Sequence, residues 1–381
     1  MRIRNKDVKY LCVVAGGSGG HILPAFVLAK RWQNENPGGK IIYLGTSKSL
    51  DKKITNLLGI KFKKHNINLC SFPGKKLWLY PKFCTQLLIT FLKSFFNLRR
   101  HRPKHVLSTG GYIAIPVCMA ASLLKIPVEL HELNVVPGRA TRFLLPYSQK
   151  IFVTFNKCKE KYLPKEHSVQ EKTFFSEYPV RYEEKDKNFS KEEGISFINQ
   201  LLRSNEKTFR TKESGKLGCE SLNDESFIPF DLDRKTIFIM GGSQGSFFIN
   251  SLFKDWLEKE ENRHSKIQVI HQTGNRDDRN WHSFYREMGI PSFIFSFYDN
   301  LKIFYSVADL VICRAGAGTL FELEFFKKLS LVLPLKTKQT SHQIFNAQEM
   351  AAKNPDLFVV QNQSLKQEDL AVFSKNIENM L

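Results

Sequence analysis

Short runs of apolar residues that end in glycines are the clearest repeated pattern along this 381-residue chain. Residues 11–15 predict a buried strand, residues 16–20 a glycine-rich turn, and the pattern beginning at His21 a helix. The same order returns in the second half, with a strand over 236–240 and a glycine turn over 241–245. A strand that passes through a turn into a helix is the unit of a parallel sheet, so two separate copies predict two doubly wound α/β domains.

Further strands and helices are predicted to alternate around these two copies. The strands are predicted over residues 40–44, 106–108, 127–131, 151–154, 267–271, 292–297, 310–313 and 330–333. The helices are predicted over 23–32, 52–58, 113–124, 246–260, 275–288 and 301–306. We therefore expect an N-terminal domain over 1–181, a low-complexity and partly disordered insertion or linker over 182–234, and a C-terminal domain over 235–381.

The segment 70–104 combines bulky apolar residues with basic ones, and two interpretations stay open for it. Apolar residues recur at helical spacing over 88–96, which predicts an amphipathic helix with that stripe in the core. The segment just before it is bounded by proline and glycine and is predicted to be a loop. Its apolar residues and the lysines beside them are Trp78, Leu79, Phe83, Lys75 and Lys76. Bulky apolar residues on a basic loop favour contact with an anionic membrane surface over ordinary burial.

The charge of the chain is unusual, although its hydrophobic content of 42% is ordinary. It holds 57 Lys and Arg against 37 Asp and Glu, a formal net charge of +20. No acidic residue occurs from 52 to 128, where 14 Lys or Arg are found. Such a surface suits an acidic membrane, phosphorylated substrates or nucleic acid. Nucleic acid is not favoured as a partner, because no helix-turn-helix, RNP or zinc motif is present.

The cysteines and the apolar stretches indicate the environment of the protein. The seven cysteines are scattered and show no C-x-x-C spacing, which predicts neither a disulfide framework nor a zinc site and favours a reducing cytosol. The N-terminal residues lack the apolar run of a signal peptide. The longest apolar stretches, 87–92 and 113–124, are shorter than the ~20 residues that span a bilayer. We therefore expect a soluble or peripheral protein.

Candidate chemistry lies at the ends of the predicted strands. The first glycine turn can present backbone N–H groups to an anion or a polar ligand, or it can be a tight turn with no ligand. It is not a dinucleotide fingerprint, because Ile22 stands where that motif requires glycine. His21 enters the helix at this turn and is titratable near neutral pH, which makes it a candidate general base. His131 and Glu132, at the end of another predicted strand, are its rivals.

Seven short motifs occur together in an order that resembles a known family. They are AGGSGGHILPA (15–25), GGY (110–112), HELN (131–134), PVR (179–181), GGSQG (241–245), CRAGAGT followed by Glu322 (313–322), and HQ-x-x-NA (342–347). In this order they resemble the MurG family, the UDP-N-acetylglucosamine:undecaprenyl-pyrophosphoryl-MurNAc-pentapeptide N-acetylglucosaminyltransferases of glycosyltransferase family 28. The resemblance implies a GT-B fold, with two Rossmann-like domains facing each other across a cleft. It also implies an inverting transfer of N-acetylglucosamine to the C4 hydroxyl of MurNAc, which converts lipid I into lipid II in peptidoglycan precursor synthesis.

The resemblance also implies which residues bind each substrate. The donor, UDP-N-acetylglucosamine (UDP-GlcNAc), is expected to contact Ser18, Gly19, Asn134, Arg181, Ser243, Gln244, Tyr298, Ala317, Gly318, Thr319, Glu322 and Gln343. The undecaprenyl-linked acceptor is expected to contact Gly20, Gly110, Gly111 and Tyr112. Glu322 would accept hydrogen bonds from two ribose hydroxyls, while Asn134 and Gln343 would select the hydroxyls of the sugar. No metal or other cofactor is expected, since helix ends with Arg would hold the diphosphate, without a metal ion bound by an Asp-x-Asp motif.

The resemblance places the protein at the cytoplasmic face of the bacterial inner membrane as a peripheral protein, with other cell-wall synthesis proteins as further partners. Two alternatives stay open. One is a GT-B transferase that moves a UDP-sugar to diacylglycerol, since the glycine turns would serve both reactions. The other is a relative that binds a UDP-sugar without catalysis.

Overall fold

The computed structural model describes residues 9–16, 19–46, 59–70, 72–74, 76–203, 227–242, 245–335, 342–362 and 366–381. The chain divides into two compact units, residues 1–181 and 182–381. Each unit contains a parallel sheet with helices in its crossovers, which confirms the predicted α/β class with two Rossmann-like domains. The helix predicted over 52–58 lies outside the described residues.

Unit 1 is built on a seven-stranded parallel sheet. Its strands are β1 (Tyr10–Val14), β2 (Lys40–Gly45), β3 (Phe62–Asn66), β4 (His105–Ser108), β5 (Val128–Glu132), β6 (Lys150–Val153) and β7 (Thr173–Phe175). Its helices are α1 (Gly19–Glu35), α2 (Tyr80–His101), α3 (Ala114–Leu123), α4 (Arg139–Leu144) and α5 (His167–Gln170). Shorter helical turns lie at Leu77–Leu79, Leu145–Tyr147 and Cys158–Tyr162. The strand order β3-β2-β1-β4-β5-β6-β7 places β1 beside β4, so the direction of winding reverses between these two strands.

The core of unit 1 lies between the sheet and helix α1. Phe26 of α1 is fully buried and packs edge-to-face on Tyr43 of β2, with ring centroids 4.8 Å apart. The Tyr43 hydroxyl donates a hydrogen bond of 3.0 Å to the carbonyl of Ala15. A buried phenol satisfied in this way costs little to desolvate. The contact fixes the end of β1, where the first glycine turn begins.

Helix α2 buries the opposite face from the one that the sequence predicts. Its buried positions are Thr90, Ser94 and Leu98, which recur every four residues. The Ser94 hydroxyl donates to the Thr90 carbonyl at 2.7 Å, and the small side chains let α2 pack closely against the alanine-rich helix α3. The large apolar stripe is exposed: Leu88 to 58%, Leu92 to 43% and Phe96 to 63%. The prediction that residues 88–96 put their apolar stripe in the core is therefore wrong.

The segment before α2 is also more regular than a loop. Leu77–Leu79 form a 3-10 turn that runs directly into the helix, and Phe83 lies within the helix. Leu77 and Trp78 are exposed to 75% and 73%, whereas Phe83 is half-buried and its ring lies 5.6 Å from that of Phe72. The apolar side chains predicted for a membrane surface therefore stand on a helical turn and not on a loop.

Unit 2 contains a six-stranded parallel sheet. Its strands are β8 (Lys235–Met240), β9 (Ile267–Gln272), β10 (Ser292–Phe295), β11 (Leu310–Cys313), β12 (Ser330–Val332) and β13 (Phe358–Val360). Its helices are α6 (Lys191–Arg203), α7 (Phe247–Leu257), α8 (Trp281–Glu287), α9 (Lys302–Val307), α10 (Ala317–Phe325), α11 (His342–Lys353) and α12 (Lys366–Met380). Short 3-10 turns lie at Glu184–Lys187 and Glu261–Lys266. The strand order β10-β9-β8-β11-β12-β13 reverses the winding between β8 and β11.

The start of the predicted insertion is an ordered part of unit 2. Helix α6 packs against α9, where Gly194 lies so close to Val307 that a Cβ atom would stand 2.3 Å from the valine side chain. Lys191 forms an ion pair of 2.7 Å with Asp309, whose carboxylate also accepts the backbone N–H of Thr236. The interpretation of 182–234 as a linker with little regular structure is therefore wrong for its first part. Residues 204–226 lie outside the described chain.

The observed elements follow the predicted ones closely, with clear exceptions. Every predicted strand has an observed counterpart. The helix predicted over 275–288 is shorter, since α8 begins only at Trp281. Strands β3, β7 and β13 and helices α4, α5, α11 and α12 were not predicted. Helix α12 buries Phe373 and Ile377 in the core of unit 2, where the Phe373 ring lies edge-on to Trp256.

Candidate active site

The two glycine turns of unit 1 meet where its winding reverses. Ligands of doubly wound sheets bind at such a position, beyond the carboxyl ends of the strands. Gly110 and Gly111 follow β4 and have φ angles of +88° and +85°. A Cβ atom on Gly111 would stand 2.7 Å from the carbonyl oxygen of Gly16, which follows β1. Only glycine allows both this backbone conformation and this close approach, so the backbones of Gly16 and Gly111 lie directly against each other and form one surface.

His21 is held in a fixed orientation at this surface. Its Nδ1 lies 2.8 Å from the carbonyl oxygen of Thr109, and the Thr109 hydroxyl donates to the carbonyl of His21 at 2.8 Å. A carbonyl oxygen can only accept, so Nδ1 carries the proton of the neutral ring. Its Nε2 then presents a lone pair. The half-buried imidazole therefore has the tautomer that a general base needs.

The other predicted contacts in this part of unit 1 are Gly20, Gly110, Gly111 and Tyr112 for the acceptor and Ser18 and Gly19 for the donor. Gly19 and Gly20 are the first residues of α1, where backbone N–H groups precede the intrahelical hydrogen bonds. Tyr112 follows Gly111 just before α3 and is half-buried. Ser18 lies outside the described residues. The structure thus brings Gly20, Gly110 and Gly111 to the same surface as His21.

Both carboxylate oxygens of Glu132 accept hydrogen bonds from the loop that follows it. One carboxylate oxygen accepts the backbone N–H of Asn134 at 3.0 Å and the Asn134 amide at 3.1 Å, and the other accepts the N–H of Gly138 at 3.1 Å. The side chain is buried, with 3% of the residue exposed. These contacts argue against Glu132 as the general base. They also show that Asn134, predicted to touch the sugar, is oriented by Glu132.

His131 is a poor base in its surroundings. Its ring is buried and stacks on Phe152 with centroids 4.7 Å apart, and its Nε2 has no hydrogen-bond partner among the described residues. Burial, with a smaller effect from His105, lowers the pKa of His131 to about 3. A ring with so low a pKa accepts a proton weakly at neutral pH. Of the three rivals, His21 has the geometry that best fits the role.

In unit 2 the winding of the sheet reverses between β8 and β11, and each of these strands is followed by a glycine turn. Gly245 has φ +77°, and a Cβ atom there would stand 2.3 Å from the carbonyl oxygen of Thr273, so its backbone lies directly against the loop after β9. Ser246 caps α7 by accepting the N–H of Ile249. Ser243 and Gln244, which were predicted to touch the donor, lie outside the described residues.

Arg314 connects these loops through hydrogen bonds, and it was not among the predicted site residues. Its Nε donates to the Ser246 hydroxyl at 3.0 Å, and one of its terminal nitrogens donates to the carbonyl of Leu333 at 2.9 Å. Burial lowers the pKa of the guanidinium to about 10, so it stays charged at neutral pH. A positive charge is thereby fixed beside the N-terminus of α7. The signal available in the sequence was an arginine directly after a fully apolar strand, within the CRAGAGT motif.

Helix α10 presents its N-terminus in the same region of unit 2. Gly316 stands at the cap without a side-chain hydrogen bond, and the first intrahelical bond runs from Leu320 to Gly316. The amides of Ala317, Gly318 and Thr319 precede that bond, at the positive end of the helix. Such a helix end can receive a phosphate without a metal ion.

Glu322 lies one turn further along α10 and is held rigidly. The Tyr305 hydroxyl donates to its Oε2 at 2.9 Å, and the residue is 7% exposed. A carboxylate so close to the helix N-terminus, and oriented by a buried phenol, is suited to accept hydrogen bonds from hydroxyl groups of a ligand.

The remaining donor candidates stand on three separate segments. Gln343, on the first turn of α11, accepts the N–H of Leu335 at 3.1 Å through its side chain. Tyr298 is half-buried against Phe304, and burial raises the pKa of its phenol. Arg181 is the half-buried last residue of unit 1. In the part of the chain that the structure describes, no group of three or more His, Cys, Asp or Glu could hold a metal ion.

Comparison with known proteins identifies the class of this fold and site. Residues 11–153 match the N-terminal domain of glycosyltransferase family 28, and residues 236–379 match its C-terminal domain. The solved structure of MurG from Acinetobacter baumannii is similar with a TM-score of 0.64 at 20% identity, over 97% of this chain and 91% of that one. A UDP-GlcNAc 2-epimerase from Neisseria meningitidis is similar with a TM-score of 0.59 at 14% identity, over 97% and 92%. These likenesses support the GT-B fold.

Curated relatives give the particular family. The "UDP-N-acetylglucosamine--N-acetylmuramyl-(pentapeptide) pyrophosphoryl-undecaprenol N-acetylglucosamine transferase" of Halothermothrix orenii is 30% identical over 97% of this chain and 90% of its own. The transferase of the same name from Thermodesulfovibrio yellowstonii is 30% identical over 90% and 82%. The chain belongs to this family of transferases, the MurG family.

Proposed function

We propose that the protein transfers N-acetylglucosamine from UDP-GlcNAc to the C4 hydroxyl of MurNAc in undecaprenyl-pyrophosphoryl-MurNAc-pentapeptide, converting lipid I into lipid II. Membership of the family supports the class of reaction, because the curated relatives are named for this transfer. The observation that supports the site most directly is the hydrogen bond of His21 Nδ1 to the Thr109 carbonyl, because it leaves Nε2 as the nitrogen that can accept a proton.

The donor is proposed to bind unit 2 at the reversal between β8 and β11. The α10 amides at Ala317–Thr319 would receive the diphosphate, and the fixed charge of Arg314 beside α7 would add to the positive field there. Glu322 would accept from the ribose hydroxyls. Both helix ends stabilise the negative charge that develops as UDP leaves, which is where transfer from a nucleotide sugar needs help.

The acceptor is proposed to bind unit 1 beside the turns at 16–20 and 109–112. His21 Nε2 would take the proton of the C4 hydroxyl while the hydroxyl oxygen forms a bond to C1 of the donor sugar. The bond from C1 to the UDP oxygen breaks in the same step, and the electron pair leaves with UDP. Because attack occurs opposite the leaving group, the configuration at C1 inverts. Glycines at 110 and 111 would let the backbone approach the acceptor closely.

A membrane contact is proposed for the outward face of α2 and the turn before it. We call the exposed apolar residues Leu77, Trp78, Leu88, Leu92 and Phe96 the α2 face. Basic residues accompany it on the same elements: Lys76, Lys82, Lys93, Arg99 and Arg100. A monomeric protein rarely exposes so many large apolar side chains together, and cations beside them favour anionic headgroups. Among the described residues, no helix is both long and apolar enough to cross a membrane. We therefore place the protein as a peripheral protein on the cytoplasmic face of the inner membrane.

The direct test is release of UDP from UDP-GlcNAc in the presence of a short-chain lipid I analogue. The wild-type protein is expected to turn over, and His21→Ala to lose roughly 100-fold or more in kcat, as expected for removal of a general base, with donor binding unchanged. Glu132→Gln is the comparison for the rival base. Because its amide nitrogen would face a loop N–H group that the carboxylate now accepts, folding and donor binding are measured for this variant as well. Preference for UDP-galactose, or transfer to diacylglycerol, would refute the assignment of substrates. Equal loss of turnover in Glu132→Gln without loss of folding would return the base role to Glu132.

A further inference from the structure

We propose that Asn250 is a positioning residue for the diphosphate of the donor, and that it acts through a buried hydrogen-bond chain behind Gly245, the residue just before the N-cap of α7. This inference rests on the proposed donor site in unit 2. Asn250 lies on the first turn of α7 and is fully buried. It was not among the predicted site residues, and it faces away from solvent, so it would act without touching the ligand.

The direction of each hydrogen bond in the chain can be derived from its chemistry. The Asn250 amide nitrogen donates to the carbonyl of Thr273 at 3.1 Å and to the carboxylate of Asp277 at 2.7 Å. Its Oδ1 must therefore accept from His271 Nε2, 3.2 Å away. His271 Nδ1 is then the unprotonated nitrogen and accepts from the Tyr285 hydroxyl at 2.9 Å. The chain has a single direction, from Tyr285 through His271 and Asn250 to the loop after β9.

Burial keeps this direction fixed. His271 and Tyr285 are both fully buried. Burial lowers the pKa of His271 to about 3, so the ring stays neutral and keeps one proton. If the Asn250 side-chain amide were flipped, its oxygen would face the Thr273 carbonyl and the Asp277 carboxylate. Acceptors would then face acceptors in the protein interior away from water, which is unfavourable.

The chain ends on the backbone that supports the glycine turn. Thr273, whose carbonyl accepts from Asn250, is the residue against which Gly245 packs. Asp277 is in turn held by Arg279, which also donates to the Ser251 hydroxyl of α7 at 3.0 Å. The loop from 273 to 279 is thus tied to α7 at two places. Asn250 fixes how the loop supports Gly245 and, through it, the start of α7, one of the two helix ends proposed to stabilise the diphosphate.

This role predicts a selective effect on ligands. Removing the Asn250 amide leaves the Thr273 carbonyl and the Asp277 carboxylate without that donor, so the loop is expected to shift toward other partners or water. The Gly245 turn would follow the loop, whereas Glu322 and Tyr305 lie on α10 and α9, outside the chain of hydrogen bonds. Binding of a phosphate-bearing ligand should suffer, and binding of the nucleoside part should not.

The experiment compares UDP with uridine by calorimetric titration of the wild-type protein, Asn250→Ala and Tyr285→Phe. Asn250→Ala is expected to weaken UDP binding about ten-fold, the size of a lost buried hydrogen bond, and to change uridine binding less than two-fold. Tyr285→Phe removes only the far end of the chain and should weaken UDP binding about two- to three-fold. Glu322→Ala is the matched control, because loss of a ribose contact should weaken both ligands by the same factor.

The outcomes separate this inference from the proposed site. Suppose that wild type and Glu322→Ala behave as stated, but Asn250→Ala weakens the binding of UDP and of uridine equally. Asn250 then supports the fold in general, and the inference is refuted. Unchanged UDP binding in a folded Asn250→Ala protein refutes it too. If wild type binds UDP no better than uridine, the diphosphate site itself is wrong, and the inference falls with it.

Discussion

The buried imidazole of His131 makes the stability of unit 1 sensitive to acid, and we predict that His131→Phe removes that part of the sensitivity. The folded protein holds this pKa at about 3, against 6.5 for an unperturbed histidine. Below pH 6.5 the unfolded chain takes up a proton at His131 that the folded chain refuses. Stability is therefore lost as the pH falls from 6.5 toward 3, and it is unaffected above 6.5.

The size of the effect follows from linkage. One proton taken up only by the unfolded state costs up to about 1.4 kcal/mol per pH unit. Because the unfolded histidine is already half protonated at pH 6.5, roughly 2.3 kcal/mol should be lost between pH 6.5 and 4.5. That is a large part of the ~5–15 kcal/mol that stabilises an ordinary domain. Phenylalanine keeps the ring that stacks on Phe152. It also replaces an Nε2 that has no hydrogen-bond partner among the described residues.

The assay is urea denaturation at pH 7.0, 6.0, 5.0 and 4.5, read by pulsed hydrogen exchange in peptides that cover β5 and β6. This readout reports the unfolding of unit 1 separately from unit 2. The unfolding free energy of His131→Phe should fall with decreasing pH by about 1.4 kcal/mol per unit less than that of wild type. Val153→Ala, a buried apolar truncation in the neighbouring strand, should instead lower stability by the same amount at every pH. Parallel pH profiles for wild type and His131→Phe would refute the reasoning.

Two further predictions concern the glycine turn and the α2 face. Gly111→Ala should lower the unfolding free energy of unit 1 by more than about 3 kcal/mol and abolish transfer, because its Cβ meets a backbone carbonyl. Gly38→Ala is the control: Gly38 has a similar φ of +81° and no atom within 4 Å of its Cβ position, so thermal or urea unfolding should show a loss of only about 1–2 kcal/mol. Equal losses in the two variants would mean that the close approach is unimportant. Leu92→Ser combined with Phe96→Ser should weaken sedimentation with anionic vesicles about ten-fold or more, since two large side chains leave the interface. Phe174→Ser, which removes an exposed phenylalanine from β7, should leave sedimentation with the vesicles unchanged. Equal effects of the two changes would show that the α2 face is not the membrane contact.

Much of the fold could be predicted because the central strands of both sheets are buried on both sides. The runs over 11–15 and 236–240 are continuously apolar, as a parallel sheet covered by helices requires. Strand β3 was missed because it is an edge strand with the mostly polar sequence Phe-Lys-Lys-His-Asn, and β7 and β13 because three residues carry little pattern. The motifs also located His21, Glu322 and the α10 turn, since glycine at fixed spacing has few other uses.

Other parts of the site depend on contacts between segments far apart in the chain. The sequence could not rank His21, His131 and Glu132 as bases. The ranking follows from the Thr109 carbonyl at His21, the Phe152 ring on His131 and the loop amides on Glu132. Arg314 and Asn250 were overlooked for the same reason, because their partners come from other strands and helices.

The sequence by itself determined the two α/β units, the positions of their glycine turns and the family, because strand burial, turn conformation and motif order are local properties of the chain. The tertiary structure decided which side of each element is covered. Helix α2 shows the difference most clearly. Its periodicity defines an apolar stripe and a small-residue stripe, but only packing against the alanine-rich α3 determines that Thr90, Ser94 and Leu98 turn inward. Close approach of two helices favours small side chains, and this leaves the large apolar stripe exposed on the surface proposed to meet the membrane.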